Sequence, residues 1–202
     1  MIPFYVKNKN IVRIVLFLLG LVCVGIIVGR MFVDIRPVPQ DSDGPRTAVV
    51  QEEISLYFGD PDANGLLEER RTVPQAGDDF TALSQIVNEL ARGPEAEGMT
   101  AVIPAQTRLL GVRKIDDHTL KLDFNRELAQ YHPGGSSSEL LSVHALTNSI
   151  AAHMPEFAQF EFWIEGNRVE SLKGHVDLSR PVRLDSNWVR MDSRLLDPLA
   201  PQ

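Results

Sequence analysis

Cysteine is almost absent. The 202-residue chain holds one, Cys23, inside an apolar run near its N-terminus. No thiol follows it, which excludes disulfides, thiolate metal sites and a cysteine nucleophile from everything downstream. Positive charge is also scarce: 20 Lys and Arg stand against 27 Asp and Glu, a formal −7. Residues 1–33 carry Lys7, Lys9, Arg13 and Arg30 and no acid, so that segment is +4 and the remainder is −11 (−7 less +4). Such a body lacks the cations that displace counterions from nucleic acid, and no nucleic-acid partner is expected. It suits a solvated surface, or a partner that is basic or neutral.

Chemical motifs are missing too. There is no HExxH pair, no phosphate-cradling glycine loop and no basic patch interleaved with aromatics. The histidines are His118, His132, His144, His153 and His175. His144 and His153 share a predicted helix, but nine residues at about 100° each set them on opposite sides. No metal site, cofactor site or catalytic residue is assigned from these positions. Gly134-Gly135-Ser136-Ser137-Ser138 superficially resembles a serine-nucleophile turn, yet it lacks the second glycine of G-x-S-x-G and follows no strand. The adjacent acids Glu68-Glu69, Asp78-Asp79 and Asp116-Asp117 are placed for a strand, a helix cap and a turn, and adjacent acids on a strand point to opposite faces.

What the chain does have begins with an apolar run over 11–33, IVRIVLFLLGLVCVGIIVGRMFV. Its uncharged core, Ile14 to Gly29, falls a little short of the ~20 residues that span a bilayer. Arg13 and Arg30 can snorkel to the headgroups and extend it. Lys7, Lys9 and Arg13 outweigh the basic residues just beyond the run, which places residues 1–10 in the cytoplasm and the rest outside. A cleaved signal peptide would need small residues at its cleavage site, and a lipoprotein signal a small residue before Cys23. Neither is present. The reading is a single-pass inner-membrane anchor with an extracytoplasmic domain. Residues 34–48, rich in Pro, Asp, Ser and Gly, form a linker.

A domain over 49–184 follows. Val50, Ile54, Leu56 and Phe58 alternate as a strand, and Leu66 to Val73 reads as a short, charged edge strand. Asp78-Asp79 caps a helix from about Phe80 to Arg92, with Phe80, Leu83, Ile86, Val87 and Leu90 on one face and Gly93-Pro94 as the stop. Thr107–Ile115 and Thr119–Phe124 form a hairpin around Asp116-Asp117-His118. Ser136-x-x-Glu139 matches a capping box for a second helix running to His153, with Leu140, Val143, Leu146, Thr147, Ile150 and Met154 inward. On its other side Leu141, Ala145 and Ala152, mixed with Ser142, Asn148 and Ser149, are expected at the surface. Phe160, Phe162 and Ile164 alternate in a strand that carries Trp163 on its polar face, turns at Gly166-Asn167 and returns over Arg168–Leu172. Pro181–Leu184 is a last extended piece, and 185–202 is a tail. The predicted class is α+β: a two-layer mixed sheet with two amphipathic helices on one face, preceded by one transmembrane helix.

Several stretches in order resemble a GerMN domain, the sporulation and spore-germination module. They are Leu56-Tyr57-Phe58, Glu69-Arg70-Arg71-Thr72-Val73, Leu90-Ala91-Arg92-Gly93-Pro94, Ile103-Pro104 with Thr107 to Leu110, and Leu122-Asp123-Phe124. The stretches Glu139-Leu140 and Ala145 to Ile150, and the strand closing at Gly166, continue the resemblance. It implies a fold similar to the ring-building modules of secretion and sporulation complexes, an extracytoplasmic location, and an assembly or envelope-binding role without established catalytic residues. The expected partners are envelope proteins or peptidoglycan, the latter through the family's fusions to cell-wall amidases, and oligomerisation stays open.

Overall fold

The computed structural model divides into two units, Met1–Thr47 and Ala48–Gln202. It describes residues 50–190, and in the first unit Arg13 and Leu18, both helical. The anchor over 11–33, the linker and the tail beyond Arg190 otherwise lie outside the described residues. Among the described residues no helix is long and apolar enough to cross a membrane.

The second unit runs β1 (Gln51–Gly59), β2 (Leu66–Pro74), α1 (Asp79–Arg92), β3 (Leu109–Lys114), β4 (Thr119–Phe124), a single turn α2 (Glu127–Gln130), α3 (Ser136–His153), β5 (Gln159–Ile164), β6 (Asn167–Arg168) and β7 (Val182–Arg183). A 3₁₀ turn at Ser186–Trp188 ends it. The expected single sheet is two. One is the antiparallel pair β1–β2; the other runs β3-β4-β5-β6, with β7 beside β5. The second is mixed, since β4 and β5 are parallel and joined by the crossover through α3.

The reason for the split lies at the outer edge of β1. There Tyr57 N–H donates to the Ser149 hydroxyl of α3 at 3.0 Å. Gly59 exchanges two backbone bonds with Thr100, at 3.0 and 2.8 Å. A Cβ on Gly59 would sit 2.5 Å from Thr100 Oγ1, so glycine permits this approach. With a helix and a loop on that edge, no strand of the other sheet can pair there.

Helix α1 matches its sequence pattern. Asp78 caps it, its carboxylate accepting from Thr81 N–H at 2.9 Å. Gly93 closes it at φ +89°, a region glycine enters without strain. Leu83, Ile86, Val87 and Leu90 are fully buried, each burial supplying about 1.5–3 kcal/mol. Phe80 is the exception: it sits at the exposed start of the helix, not in the core.

Helix α3 departs from expectation. It is buried almost all round, including Leu141, Ser142, Ala145, Asn148 and Ser149. Of the patch expected at the surface, Ala152 is exposed. Neighbours on every side explain this. Val143, Leu146 and Ile150 join the core with Leu120, Leu122, Phe160 and Phe162 of the large sheet, β1 lies along Ser149, and the segment after β7 covers His144 and Asn148. Both helices pack into the core on the one buried face of the large sheet, but the second is not amphipathic as expected: α3 is covered on every side and α1 alone is one-faced.

Two further boundaries differ. The β5–β6 turn is Glu165-Gly166, both with positive φ, and not Gly166-Asn167. Strand β6 stops at Arg168, because the chain then leaves to bury Leu172 and Leu178.

Arg71, on β2, locks the two ends of α1's surroundings together. Only 5% of its side chain is exposed. It donates to Glu69 at 2.7 Å, to the Glu89 carboxylate at 2.8 Å and to the Gly93 carbonyl at 2.6 Å. Its guanidinium carbon is 5.3 Å from the centre of the Phe58 ring. Glu69 in turn accepts from the N–H groups of Glu95 and Ala96. Replacing Arg71 by Ala strands two nearly buried carboxylates, and we expect a loss of about 3–5 kcal/mol in urea unfolding. Arg71→Lys, which cannot match three acceptors in a planar fork, should recover only part of it. A loss below about 1 kcal/mol for the alanine variant, the size of a surface pair, would contradict this role.

Candidate functional site

A cavity of about 420 Å3 opens at the N-terminus of α3. Gly134 to Ser138 line one wall, and Ala63, Thr100 to Val102 and Leu141 the rest. The lining offers hydroxyls, peptide groups and methyls, with no charged side chain among them. The expected capping box at its mouth does not form. Gly135 occupies the N-cap without a side-chain bond, and Ser136 and Ser137 are exposed.

Glu139 does something else. It is fully buried, and its carboxylate accepts from the N–H groups of Leu172, Lys173 and His175 at 2.7, 2.8 and 2.9 Å. Three backbone donors satisfy a buried charge that would otherwise be costly. Sitting in the first turn of α3, it also lies at the favourable end of the helix dipole. This carboxylate pins the loop after β6 to the start of α3, which a pattern of local sequence could not show.

Behind the cavity, His132 and Ser142 form a buried pair, Nε2 to Oγ at 2.8 Å. Spacing alone resembles a nucleophile and its base. The hydrogen bonds say otherwise: Gly134 N–H donates to Nδ1 at 3.0 Å, so the neutral ring carries its proton on Nε2 and donates to Ser142. The single hydroxyl hydrogen of Ser142 is shared between the carbonyls of Val102 and Ser138. A general base needs a free lone pair toward the hydroxyl, and here that nitrogen is a donor. The pair is a structural link between α3 and its two flanking loops.

The other sequence candidates are scattered. His144 stacks on Trp188, with ring centres 4.8 Å apart, while His118, His153 and His175 are exposed. Among the described residues no three His, Cys, Asp or Glu side chains come together as a metal site. Glu68 bonds Ser55 and Arg70, Asp79 pairs with Lys114, and Asp116 accepts from the His118 N–H. Trp163 is half-buried under Lys121, whose Nζ is 3.3 Å from the ring centre, and its N–H donates to Glu161.

Residues 55–170, more than half of the chain, match the family model described as "Germane: Sporulation and spore germination". The chain belongs to this family. The fold agrees with solved GerMN structures. The tandem GerMN domains of the sporulation protein GerM from Bacillus subtilis superpose with a TM-score of 0.55 at 19% identity, covering 66% of this chain and 46% of that one. The first GerMN domain of the same protein gives 0.50 at 20% identity, covering 65% of this chain and 97% of that one. The chain thus spans less than half of the tandem protein, and almost all of a single GerMN domain. No curated protein matches. The segments that carry the resemblance now have structural roles: Glu69 and Arg71 with Leu90 to Pro94 form the Arg71 lock, and Glu139 is the buried acceptor.

Two buried histidines make the domain sensitive to acid. Burial holds the His132 imidazole below its ordinary value, against the opposing pull of Glu139. Burial does the same to His144, against Asp185, and leaves His144 Nδ1 without a partner. Unfolded histidine titrates near 6.5. As pH falls below that value the unfolded chain takes up protons that the fold refuses, so stability is full above about 6.5 and declines below it. The slope should reach at most about 1.4 kcal/mol per pH unit for each ring. His144→Phe keeps the stack and removes the unpaired nitrogen; it should be neutral or stabilising at pH 7 and flatten the decline. Urea midpoints between pH 7.5 and 5 test this, and an unchanged slope in the variant would assign the acid sensitivity elsewhere.

Proposed function

We propose that this protein is a single-pass membrane protein of the bacterial envelope, with its GerMN domain outside the cytoplasm acting as a non-catalytic scaffold or interaction module, in a sporulation- or germination-related setting. The family match over 55–170 carries this reading. The site's chemistry supports it: His132, Ser142, Glu139 and Arg71 spend their hydrogen bonds on loops and helix ends. The apolar run over 11–33, with its basic N-terminal flank, supplies the anchor.

Topology is testable with a single label. In a Cys23→Ser background, Ser179→Cys places one thiol on an exposed loop. A membrane-impermeant maleimide should label it in intact spheroplasts; labelling that appears only after lysis sinks the topology. Partner choice is read separately, by sedimenting the full chain with purified cell wall. The scaffold reading expects no salt-resistant co-sedimentation, and retention at high salt would favour the peptidoglycan-binding alternative.

A further inference from the structure

The backbone of β2 is used on one side only. In the β1–β2 ladder, Asp60 N–H bonds the Gly65 carbonyl and Gln75 N–H bonds the Val50 carbonyl, which sets the alternation. Leu66, Glu68, Arg70, Thr72 and Pro74 therefore aim their peptide groups away from β1. The two ends of this outer edge are occupied. The Leu66 carbonyl accepts from Arg190 N–H at 2.8 Å, and the Pro74 carbonyl from the Gln85 side chain at 3.1 Å. Between them the N–H and carbonyl groups of Glu68, Arg70 and Thr72 have no partner among the described residues. A groove of about 380 Å3 runs beside them, walled by Arg70 to Pro74 on one side and by Glu89, Arg92 and Glu95 on the other.

We propose that this edge docks an extended, basic segment of another protein as a third strand of the β1–β2 sheet. That the edge accepts a strand is visible at its start, where Val189 forms a parallel bridge to Leu66. Free peptide groups beside a groove are the backbone half of strand-addition recognition. Charge selects the occupant. Glu69 and Glu89 are nearly buried and held by Arg71, which leaves three solvent-facing carboxylates, Glu53, Glu68 and Glu95, beside two solvent-facing cations, Arg70 and Arg92. The surplus is negative, so lysine or arginine side chains flanking the added strand find acceptors. The chain's own continuation, Met191–Gln202, carries Asp192 and Asp197 against Arg194 and lacks that complementarity.

The inference names a partner surface for the interaction module proposed above. It is read on purified protein, so it can hold if the topology experiment fails, and fail if that experiment succeeds. The probe is a capped hexapeptide alternating Lys and Val, with an alternating Glu and Val peptide as control, added to the full chain while amide hydrogen exchange is followed residue by residue. With the basic peptide the amides of Glu68, Arg70 and Thr72 should slow by at least about tenfold, and the acidic peptide should leave them unchanged. Thr72→Pro deletes an N–H the ladder does not use, a change edge strands tolerate. It should abolish the effect at an unchanged melting temperature, while Thr72→Val keeps it. No slowing with the basic peptide, or equal slowing with both, overturns the proposal. So does protection already present without peptide: if lost on truncation after Arg190, the chain's own tail is the occupant, and if rising with protein concentration, a second copy is.

Discussion

One hydrogen bond organises this domain: the N–H of Tyr57, on the outer edge of β1, given to the hydroxyl of Ser149. A strand edge ordinarily meets another strand. Here it meets a helix, and the small serine side chain lets the two backbones come close enough for a direct bond. With Thr100 completing the same stretch at Gly59, the second half of that edge is taken by a helix and a loop. The β-structure must then split into a two-stranded and a five-stranded sheet, and α3 must be wrapped on every side. The outer edge of β2 lies on the far side of the same two-stranded sheet.

Buried polar groups fasten the loops to the apolar core. Arg71 joins β2 to the end of α1, and Glu139 joins the loop after β6 to the start of α3. His132 ties Ser142 to the turn at Gly134. In each case a loop that has little apolar surface is held by hydrogen bonds to a side chain rooted in a strand or helix. Such groups are costly to leave unpaired, so each is a point where one substitution affects several elements. This is also why Arg71 and Glu139, which lie in the stretches that resemble the family, need not mark chemistry. Their hydrogen-bonding capacity is consumed within the fold.

The periodic elements were legible in the sequence because their signals are local. Alternation at Leu120, Leu122 and Phe124 and at Phe160 and Phe162 marked the central strands, and all five are fully or almost fully buried. Asp78 and Gly93 bracketed α1 within a residue. The errors came where a residue type fits two environments. Ser136 and Glu139 satisfy a capping-box pattern, but three N–H groups more than thirty residues downstream outcompete the local ones for the carboxylate. Ser142, Ala145 and Ser149 look like a polar helix face, yet small and hydroxylated residues are equally what a helix needs where backbones approach.

The sequence by itself determined which segments become strands and helices, the acidic charge that disfavours nucleic acid, and the family to which the chain belongs. These depend on spacing, capping and composition, which act over a few residues or over the whole chain at once. Tertiary structure alone decided that there are two sheets, that α3 is central, that Glu139 is an acceptor for a distant loop, and which strand edge stays open. Those outcomes depend on which distant groups compete for the same hydrogen-bonding sites, and that competition exists only after the chain has packed.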